Sequence, residues 1–239
     1  MNISIVSLGR LGLRLYDHLK NDNKVFGTYN SCSKNVLHEV QYDFNKDKIP
    51  DTIQNPDILI FNLTPSIIAN LESFASFVES ISTKHFIFIS STSVYGMQGV
   101  VNEDTKPMPD TDSGKLLYDC ERLLESFNGK YTIIRPSGLY SNSSHPGQFL
   151  AGREINIEAN TSVNLIHYDD LTNLIIKSFN SEYNIINATN INHPTKYEYY
   201  TDYCIRNHLV PPVFKNFNST KDKCVTTKYL EFNINSSLP

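Results

Sequence analysis

Two glycines punctuate the first turn of the chain, Ser7-Leu8-Gly9-Arg10-Leu11-Gly12-Leu13-Arg14-Leu15. The apolar run before it, Asn2–Leu8, predicts a buried strand, and Leu11–Lys20 predicts a helix. Glycine at such a turn lets the backbone approach a phosphate, and the free N–H groups of the helix attract it. Read as G-x-G-x-x-G, the motif has Ser7 in its first position; read as G-x-x-G-x-x-G, it has Leu15 in its last. We therefore expect dinucleotide phosphates at Gly9, Arg10, Leu11 and Gly12.

Apolar runs of strand length alternate with amphipathic stretches along the rest of the chain. The predicted strands are Lys24–Tyr29, Asp57–Leu63, His85–Ser90, Tyr131–Arg135 and Tyr183–Asn187, with a strand-like stretch at Val40–Phe44. The predicted helices are Ser66–Ile81, Gly114–Phe127, Asp169–Phe179 and Tyr197–His208. Because these strands are apolar on both faces and helices separate them, we expect an α/β fold with a doubly wound parallel (Rossmann) sheet.

The polar segment 141–164 and the tail after Pro211 interrupt this alternation. We therefore expect a dinucleotide-binding core over residues 1–140. A small substrate-binding lobe should occupy 141–239, interleaved with the last core elements at about 165–190.

Composition narrows the class of protein. The chain has 239 residues and a net charge of −4, with basic residues scattered rather than clustered, so we expect no nucleic-acid or membrane partner. The N-terminus lacks the pattern of a signal peptide, which predicts a cytoplasmic protein. The four cysteines have no metal-type spacing and should be reduced thiols, and we expect no bound metal. The oligomeric state stays open, with a homodimer as one option.

The residues after the second predicted strand bear on which dinucleotide binds. The strand ends Gly27-Thr28-Tyr29-Asn30-Ser31 without the carboxylate that NAD-specific sites usually carry there. Ser31, Ser33 and Lys34 follow, and these with Arg10 could bind a 2′-phosphate, although Arg10 and Lys34 could equally be ordinary surface charges. The sequence thus favours NADP(H), with NAD(H) as the other option. We expect the adenosine half at Asn30, Ser31, Lys34 and Asp43, the last as an acceptor for the adenine amino group or else as a solvated loop residue.

A further segment, Phe88-Ile89-Ser90-Ser91-Thr92-Ser93-Val94-Tyr95-Gly96, resembles the S-S-x-x-V-Y-G segment of the extended short-chain dehydrogenase/reductase (NAD-dependent epimerase/dehydratase) superfamily. Similar segments follow in the superfamily's order: Asn102–Asp104, Ile134–Tyr140 and Asn164–Leu171. Lys223–Leu230 resembles the closing strand and helix of a bacterial subgroup, the YeeZ-like atypical members. The resemblance spans nearly the whole chain.

The resemblance implies a Ser or Thr, a Tyr and a Lys acting together on the substrate oxygen while hydride moves to or from nicotinamide. It places the Ser/Thr position at Ser91. With Glu121 aligned to the family's glutamate, the Tyr and Lys positions fall on Ser113 and Leu117. Serine is too weak an acid and leucine carries no charge, so neither replaces its counterpart. The following Gly114-Lys115-Leu116 matches the glycine-basic-leucine pattern of the YeeZ-like subgroup, so this departure is what that subgroup would show.

Two interpretations of this helix remain open. Tyr118 and Arg122 share one helical face and could supply the missing groups about one turn away. Alternatively Tyr118 packs in the core and Arg122 lies at the surface, which we prefer. The candidate catalytic residues are Ser91, Thr92, Ser93, Tyr95 and Tyr118, with Lys115 as another possible proton donor. Further cofactor contacts are expected at Leu63, Thr64, Pro136 and Ser137.

The expected activity is that of an NAD(P)(H)-dependent oxidoreductase or epimerase acting on a small polar metabolite. The alternative is a non-catalytic NADP(H)-binding sensor or scaffold that lacks the Tyr–Lys pair. Ser113 and Leu117 favour the non-catalytic alternative, because they stand at the Tyr and Lys positions.

Overall fold

The computed structural model describes residues 1–97, 99–141, 145–218, 222–236 and 238. In chain order the strands of these residues are β1 (Asn2–Val6), β2 (Lys24–Tyr29), β3 (Glu39–Gln41), β4 (Ile58–Phe61), β5 (His85–Ile89), β6 (Gly99–Val101), β7 (Lys130–Pro136), β8 (Gly138–Tyr140), β9 (Glu154–Glu158), β10 (Leu165–His167), β11 (Ile185–Ala188), β12 (Val213–Asn216) and β13 (Lys223–Val225). The α-helices are α1 (Arg10–Leu19), α2 (Asp51–Gln54), α3 (Pro65–Ile68), α4 (Leu71–Ser80), α5 (Asp112–Leu124), α6 (Pro146–Leu150), α7 (Tyr168–Ser178) and α8 (Lys196–Arg206). Within the described ranges, no helix combines the length and the apolar character needed to cross a membrane.

A seven-stranded parallel sheet forms the middle layer, in the order β3-β2-β1-β4-β5-β7-β11. The strand order reverses between β1 and β4, because the chain runs outward through β2 and β3 and then returns to the other side of β1. All residues of β4 and β5 are buried, as expected for strands covered on both faces. The predicted doubly wound α/β fold is confirmed.

Two apolar cores cover the two faces of this sheet. On one face, α4 and α5 pack over a group of phenylalanines that comprises Phe61, Phe74, Phe77, Phe86 and Phe88. On the other face, α1 and α7 pack over the strands through the leucines Leu11, Leu15, Leu171 and Leu174. These helices hold the carboxyl ends of the strands in fixed positions, which is where ligands bind in sheets of this kind.

The helix predicted over Ser66–Ile81 is two helices in the structure. The first ends at Ile68, and Ala69 adopts a left-handed backbone with φ of 63°, which no continuous helix allows. Asn70 then caps α4, its side chain accepting a hydrogen bond from the Ser73 N–H at 2.9 Å. The strand-like stretch Val40–Phe44 is also shorter and earlier than predicted, at Glu39–Gln41.

The later part of the chain adds small elements beside the sheet. Three two-stranded pairs, β8 with β10, β9 with β12 and β6 with β13, are parallel, and α6 packs on α8. The predicted substrate lobe, 141–239, includes residues 142–144, 219–221, 237 and 239, which lie outside the described residues.

The segment after β13 returns to the first half of the chain. The Glu103 carboxylate accepts hydrogen bonds from the Thr227 hydroxyl at 2.6 Å and the Lys228 N–H at 2.9 Å. Phe232, 2% exposed, completes the core under α1 and α7. The carboxyl half of the chain is therefore joined to the sheet by both pairing and packing.

Candidate functional site

The turn between β1 and α1 follows the first of the two motif registers. Ser7 has φ of 85°, a left-handed conformation that glycine adopts without strain. A Cβ on Gly12 would lie 2.1 Å from the Ser7 carbonyl oxygen, so only glycine lets α1 approach the turn this closely. Leu15 is a fully buried residue within α1 and takes no part in the turn. The motif is therefore Ser7-x-Gly9-x-x-Gly12, with serine in the first glycine position.

The start of α1 is open to an anionic group. Gly9 precedes the helix, no side chain caps it, and its first turn holds no acidic residue. A Cβ on Gly9 would meet no atom nearer than the Ser7 Oγ at 3.6 Å. The N–H groups and the dipole of the first turn thus face a space that fits a phosphate.

A cavity of about 400 Å³ lies beside this turn, at the carboxyl ends of the central strands. Of the predicted site residues it brings together Leu11, Leu63, Thr64, Ser91, Ser93, Pro136 and Ser137. Its other lining residues are Asn62, Pro65, Ser66, Ile89, Ser90, Ser113, Leu117 and Leu139. None of these lining residues titrates near neutral pH, and hydroxyl groups are its main hydrogen-bond donors. A larger groove, about 610 Å³ beside α4, lies away from these motifs.

A smaller cavity of about 60 Å³ continues along the same edge toward β2. Leu63 lines both cavities, and Asn30 lines the smaller one together with Ser7 and Thr28. Ser31 and Lys34 lie just beyond it in the exposed loop that follows β2. Asp43 lies in neither lining: its carboxylate accepts from the Asn45 N–H at 3.1 Å and pairs with the Lys46 ammonium at 3.0 Å.

Arg10 does not face the end of β2. Its guanidinium carbon lies 5.4 Å from the ring centroid of Tyr168, the first residue of α7. Arg14 stacks on the same ring at 5.1 Å and bonds Asp169 at 3.1 Å. The predicted contact between Arg10 and a 2′-phosphate would require the side chain to leave this ring.

The end of β5 carries the predicted catalytic hydroxyl groups. Ser91 caps a short 3-10 helix, Thr92–Tyr95, and its Oγ accepts a hydrogen bond from the Ser93 N–H at 3.1 Å. Because that oxygen serves as acceptor, the hydroxyl proton of Ser91 stays available for a ligand. Thr92 is buried and lies outside the cavity lining.

Tyr95 also lies outside the cavity. Its ring is fully buried, its hydroxyl donates to Asn187 Oδ1 at 2.9 Å, and the Arg135 guanidinium donates to it at 2.8 Å. Burial raises the pKa of the Tyr95 phenol. The structure thus places Tyr95 in the core, where it anchors strands rather than faces a ligand.

Arg135 and Glu121 form a buried ion pair that was not predicted from the sequence. Each side chain is 2% exposed, and the guanidinium donates to the two carboxylate oxygens at 2.6 and 3.0 Å. The Ser90 hydroxyl, in the cavity wall, donates to the same carboxylate at 2.6 Å. One signal was present: Arg135 is the only charged residue in the apolar run Ile133–Pro136.

Helix α5 presents Ser113 and Leu117 to the cavity, the positions to which the resemblance assigns the Tyr and Lys. Tyr118 is half-buried against the aromatic core, and Arg122 is 62% exposed and pairs with Glu125 at 3.0 Å. Neither lines the cavity. This arrangement is the one preferred from the sequence. Lys115 pairs with Asp112 at 3.3 Å on the exposed side of the helix.

No protein-family model matches the chain. Among curated proteins, YeeZ of Escherichia coli (strain K12) is 35% identical over 144 residues, which cover 58% of this chain and 52% of YeeZ. The chain thus matches about half the length of this relative.

Solved structures share the fold along almost the full chain. MoeE5 in complex with UDP-glucose and NAD has a TM-score of 0.82 at 16% identity, covering 100% of this chain and 95% of MoeE5. UDP-glucuronic acid 4-epimerase from Bacillus cereus in complex with NAD has a TM-score of 0.81 at 15% identity, covering 99% and 93%. UDP-N-acetylglucosamine 4-epimerase from Methanobrevibacter ruminantium M1 has a TM-score of 0.78 at 18% identity, covering 96% and 90%. The predicted resemblance to YeeZ is confirmed in sequence over about half the length of that relative, and the fold is shared with these solved structures along almost the full chain.

Proposed function

We propose that this chain binds NAD(H) along the carboxyl edge of its sheet and uses it as an oxidoreductase or epimerase on a small polar metabolite. The pyrophosphate would lie at Gly9 and the first turn of α1, and the adenosine would extend past Asn30. The nicotinamide would occupy the 400 Å³ cavity. NADP(H), favoured from the sequence, is the less suited form because Arg10 is stacked on Tyr168.

One observation carries this proposal: a single cavity collects segments that are far apart in the sequence. Leu11 of the glycine turn, Ser91 after β5, Ser113 of α5 and Pro136 at the end of β7 all line it. Leu11 was expected at the dinucleotide phosphates and Pro136 at another cofactor contact, while the resemblance assigns Ser91 and Ser113 to the catalytic positions. Their convergence at the carboxyl edge, next to the reversal in strand order, is the arrangement in which such sheets bind dinucleotides.

Ser91 is the proposed donor to the substrate oxygen. When bound, the nicotinamide would supply or accept a hydride. Since the Ser91 oxygen already accepts from the Ser93 N–H, its hydroxyl proton points elsewhere and can form a hydrogen bond to the substrate oxygen. Ser113, exposed at the cavity, is the second hydroxyl in reach of the same space. We further propose that the lobe over 141–239 supplies the substrate side of the cleft.

Fluorescence titration with NADH and a turnover screen test this function. The first compounds to test are UDP-glucose, which is bound to MoeE5, and UDP-glucuronic acid, which names the Bacillus cereus epimerase, followed by small carbonyl compounds. Ser91→Ala should lower turnover by about 100-fold or more while NADH affinity stays within about twofold. Ser80→Ala, at an exposed serine of α4, is the matched control and should change neither. Absence of NADH binding would contradict the proposal.

A second candidate function is a non-catalytic NAD(H) sensor. It is favoured by the cavity lining, in which Ser113 and Leu117 stand where a tyrosine and a lysine would carry the proton transfer. NADH binding without turnover of any compound in the screen, together with an NADH-dependent change in proteolytic cleavage, would support the sensor over the enzyme.

A further inference from the structure

The loop between β2 and β3 folds around a carboxylate that belongs to the chain itself. Glu39, the first residue of β3, directs its side chain back into this loop. One carboxylate oxygen accepts a hydrogen bond from the Ser33 hydroxyl, and the other accepts from the Lys34 N–H at 2.8 Å. The Ser33 Oγ in turn accepts from the Asn35 N–H at 3.1 Å. The hydrogen-bond donors of the loop therefore surround one anionic group, the Glu39 carboxylate.

These donors are the groups that a 2′-phosphate of NADP(H) would need. A phosphate, like a carboxylate, accepts hydrogen bonds from backbone N–H and hydroxyl groups. The loop lies directly after β2, whose end would face the adenosine ribose in the proposed function. Glu39 already holds the Ser33 and Lys34 donors. The hydrogen bond from Ser33 keeps the pKa of Glu39 below its usual range, so the carboxylate is ionised at neutral pH.

Two consequences for a 2′-phosphate follow from this geometry. An incoming phosphate would have to displace the carboxylate from its donors, and it would also be repelled by the carboxylate's charge. Of the two cations proposed from the sequence, Arg10 is directed at Tyr168 on α7, and Lys34 bonds Glu39 through its backbone N–H. By contrast, a ribose with a free 2′-hydroxyl brings no charge and can donate a hydrogen bond to a carboxylate.

We propose that Glu39 determines cofactor choice: its carboxylate occupies the place of the 2′-phosphate and selects NAD(H) over NADP(H). This inference rests on the proposed dinucleotide function and specifies it. The device differs from an acidic residue at the end of β2, because Glu39 comes from the start of the next strand and acts through the donors of the loop. It also accounts for the absence of a carboxylate in Gly27–Ser31, from which the sequence favours NADP(H).

Glu39→Gln is the sharpest test, since it keeps the shape and one acceptor oxygen but removes the charge. Wild type, Glu39→Gln and the control Glu182→Gln would be titrated with NADH and NADPH by fluorescence, and with ADP and 2′,5′-ADP by calorimetry. Glu182 is an exposed carboxylate just before β11, at the opposite edge of the sheet, so its variant makes the same charge change far from the loop. Circular dichroism checks that each variant is folded.

Wild type should bind NADPH about tenfold or more weakly than NADH. In Glu39→Gln the ratio of the NADPH to the NADH dissociation constant should fall about fivefold or more. The change should come from tighter NADPH binding, with NADH affinity within about twofold of wild type. The two ADP probes should follow the same pattern, and Glu182→Gln should behave as wild type. Equal affinity of wild type for both cofactors, or an unchanged ratio in Glu39→Gln, overturns the inference and leaves the proposed function standing if NADH binds. If no dinucleotide binds to wild type, the inference about Glu39 and the proposed function are both wrong.

Salt dependence supplies a measurement that needs no variant. The repulsion between Glu39 and the 2′-phosphate acts at an exposed loop, so raising the salt from about 0.05 to 0.5 M should screen it. The ratio of the NADPH to the NADH dissociation constant of wild type should then decrease. A ratio that widens with salt would show net attraction of the 2′-phosphate and would overturn the inference.

Discussion

Substitution by alanine should lower stability at Gly12 and NADH affinity at Gly9, the two glycines of the first turn. Gly12 lies inside α1, where a Cβ would be 2.1 Å from the Ser7 carbonyl oxygen, about 1.3 Å closer than an ordinary contact. Because the obstacle is backbone, the turn or the helix must move, at a cost of about 1–3 kcal/mol. The better helix propensity of alanine offsets up to about 1 kcal/mol of this. We expect Gly12→Ala to lower the free energy of unfolding by about 1–2 kcal/mol.

Gly9→Ala should leave stability almost unchanged. The backbone at Gly9 has φ of −71°, which alanine adopts freely, and the new Cβ would contact only the Ser7 Oγ at 3.6 Å. The reduced entropy of the unfolded chain and the loss of a favourable N-cap residue nearly cancel, which leaves a change within about 0.5 kcal/mol. The methyl group would nevertheless occupy the space proposed for the pyrophosphate, so NADH affinity should fall about tenfold or more.

Thermal melting and NADH titration of the two variants separate these effects. For a chain of this length, 1–2 kcal/mol corresponds to a Tm decrease of about 2–8 °C for Gly12→Ala, against about 2 °C or less for Gly9→Ala. If Gly9→Ala binds NADH within about twofold of wild type, the phosphates do not lie at this turn. A Gly12→Ala variant that melts like wild type would refute the close approach of α1 to Ser7.

Three further outcomes are expected. Tyr118→Phe should keep turnover and NADH affinity within about twofold of wild type, because the ring stays packed in the core; a loss of about 100-fold would make Tyr118 with Arg122 the working pair. Arg135→Met should lower the free energy of unfolding in urea by about 3–5 kcal/mol, since it leaves the buried Glu121 carboxylate without its partner, and a loss below about 1 kcal/mol would contradict this. Burial lowers the pKa of His145 to about 4, so as the pH drops the unfolded chain takes up a proton before the folded chain does. The free energy of unfolding should therefore fall between about pH 6.5 and 4, by at most about 1.4 kcal/mol per pH unit. His145→Asn, which keeps an acceptor for the Gly147 N–H, should make that pH profile shallower in urea titrations, while His85, whose pKa burial also lowers to about 4, maintains part of the slope.

Elements whose pattern is local were predicted well from the sequence. Strand β2 runs over Lys24–Tyr29 as predicted, because its apolar residues are bounded by polar turns. The helix break at Ala69–Asn70 was missed although a capping residue was present, since Asn70 accepts from the N–H three residues later. In an apolar run, a single capping residue is a weak signal beside hydrophobic periodicity.

The contacts that decide the site depend on tertiary structure and could be predicted only in part. Ser91, Ser113 and Leu117 do meet in one cavity, as their motif positions indicated. Tyr95 was placed among the candidate proton donors because it lies in the same segment, yet its ring points into the core toward Arg135 and Asn187. Glu39 gave no signal in the sequence, because its role depends on how the loop before it folds back.

The hydrogen bonds from Thr227 and Lys228 to Glu103 can form only late in the synthesis of the chain. These partners are 124 residues apart, so a ribosome adding about 5–20 residues per second needs about 6–25 s to make the second after the first. During that interval β1 to β5 are complete, while Phe232, which belongs to the same buried cluster as the leucines of α1, has not yet been made. Part of the apolar surface on this face of the sheet therefore stays uncovered until the last segment of the chain has been made.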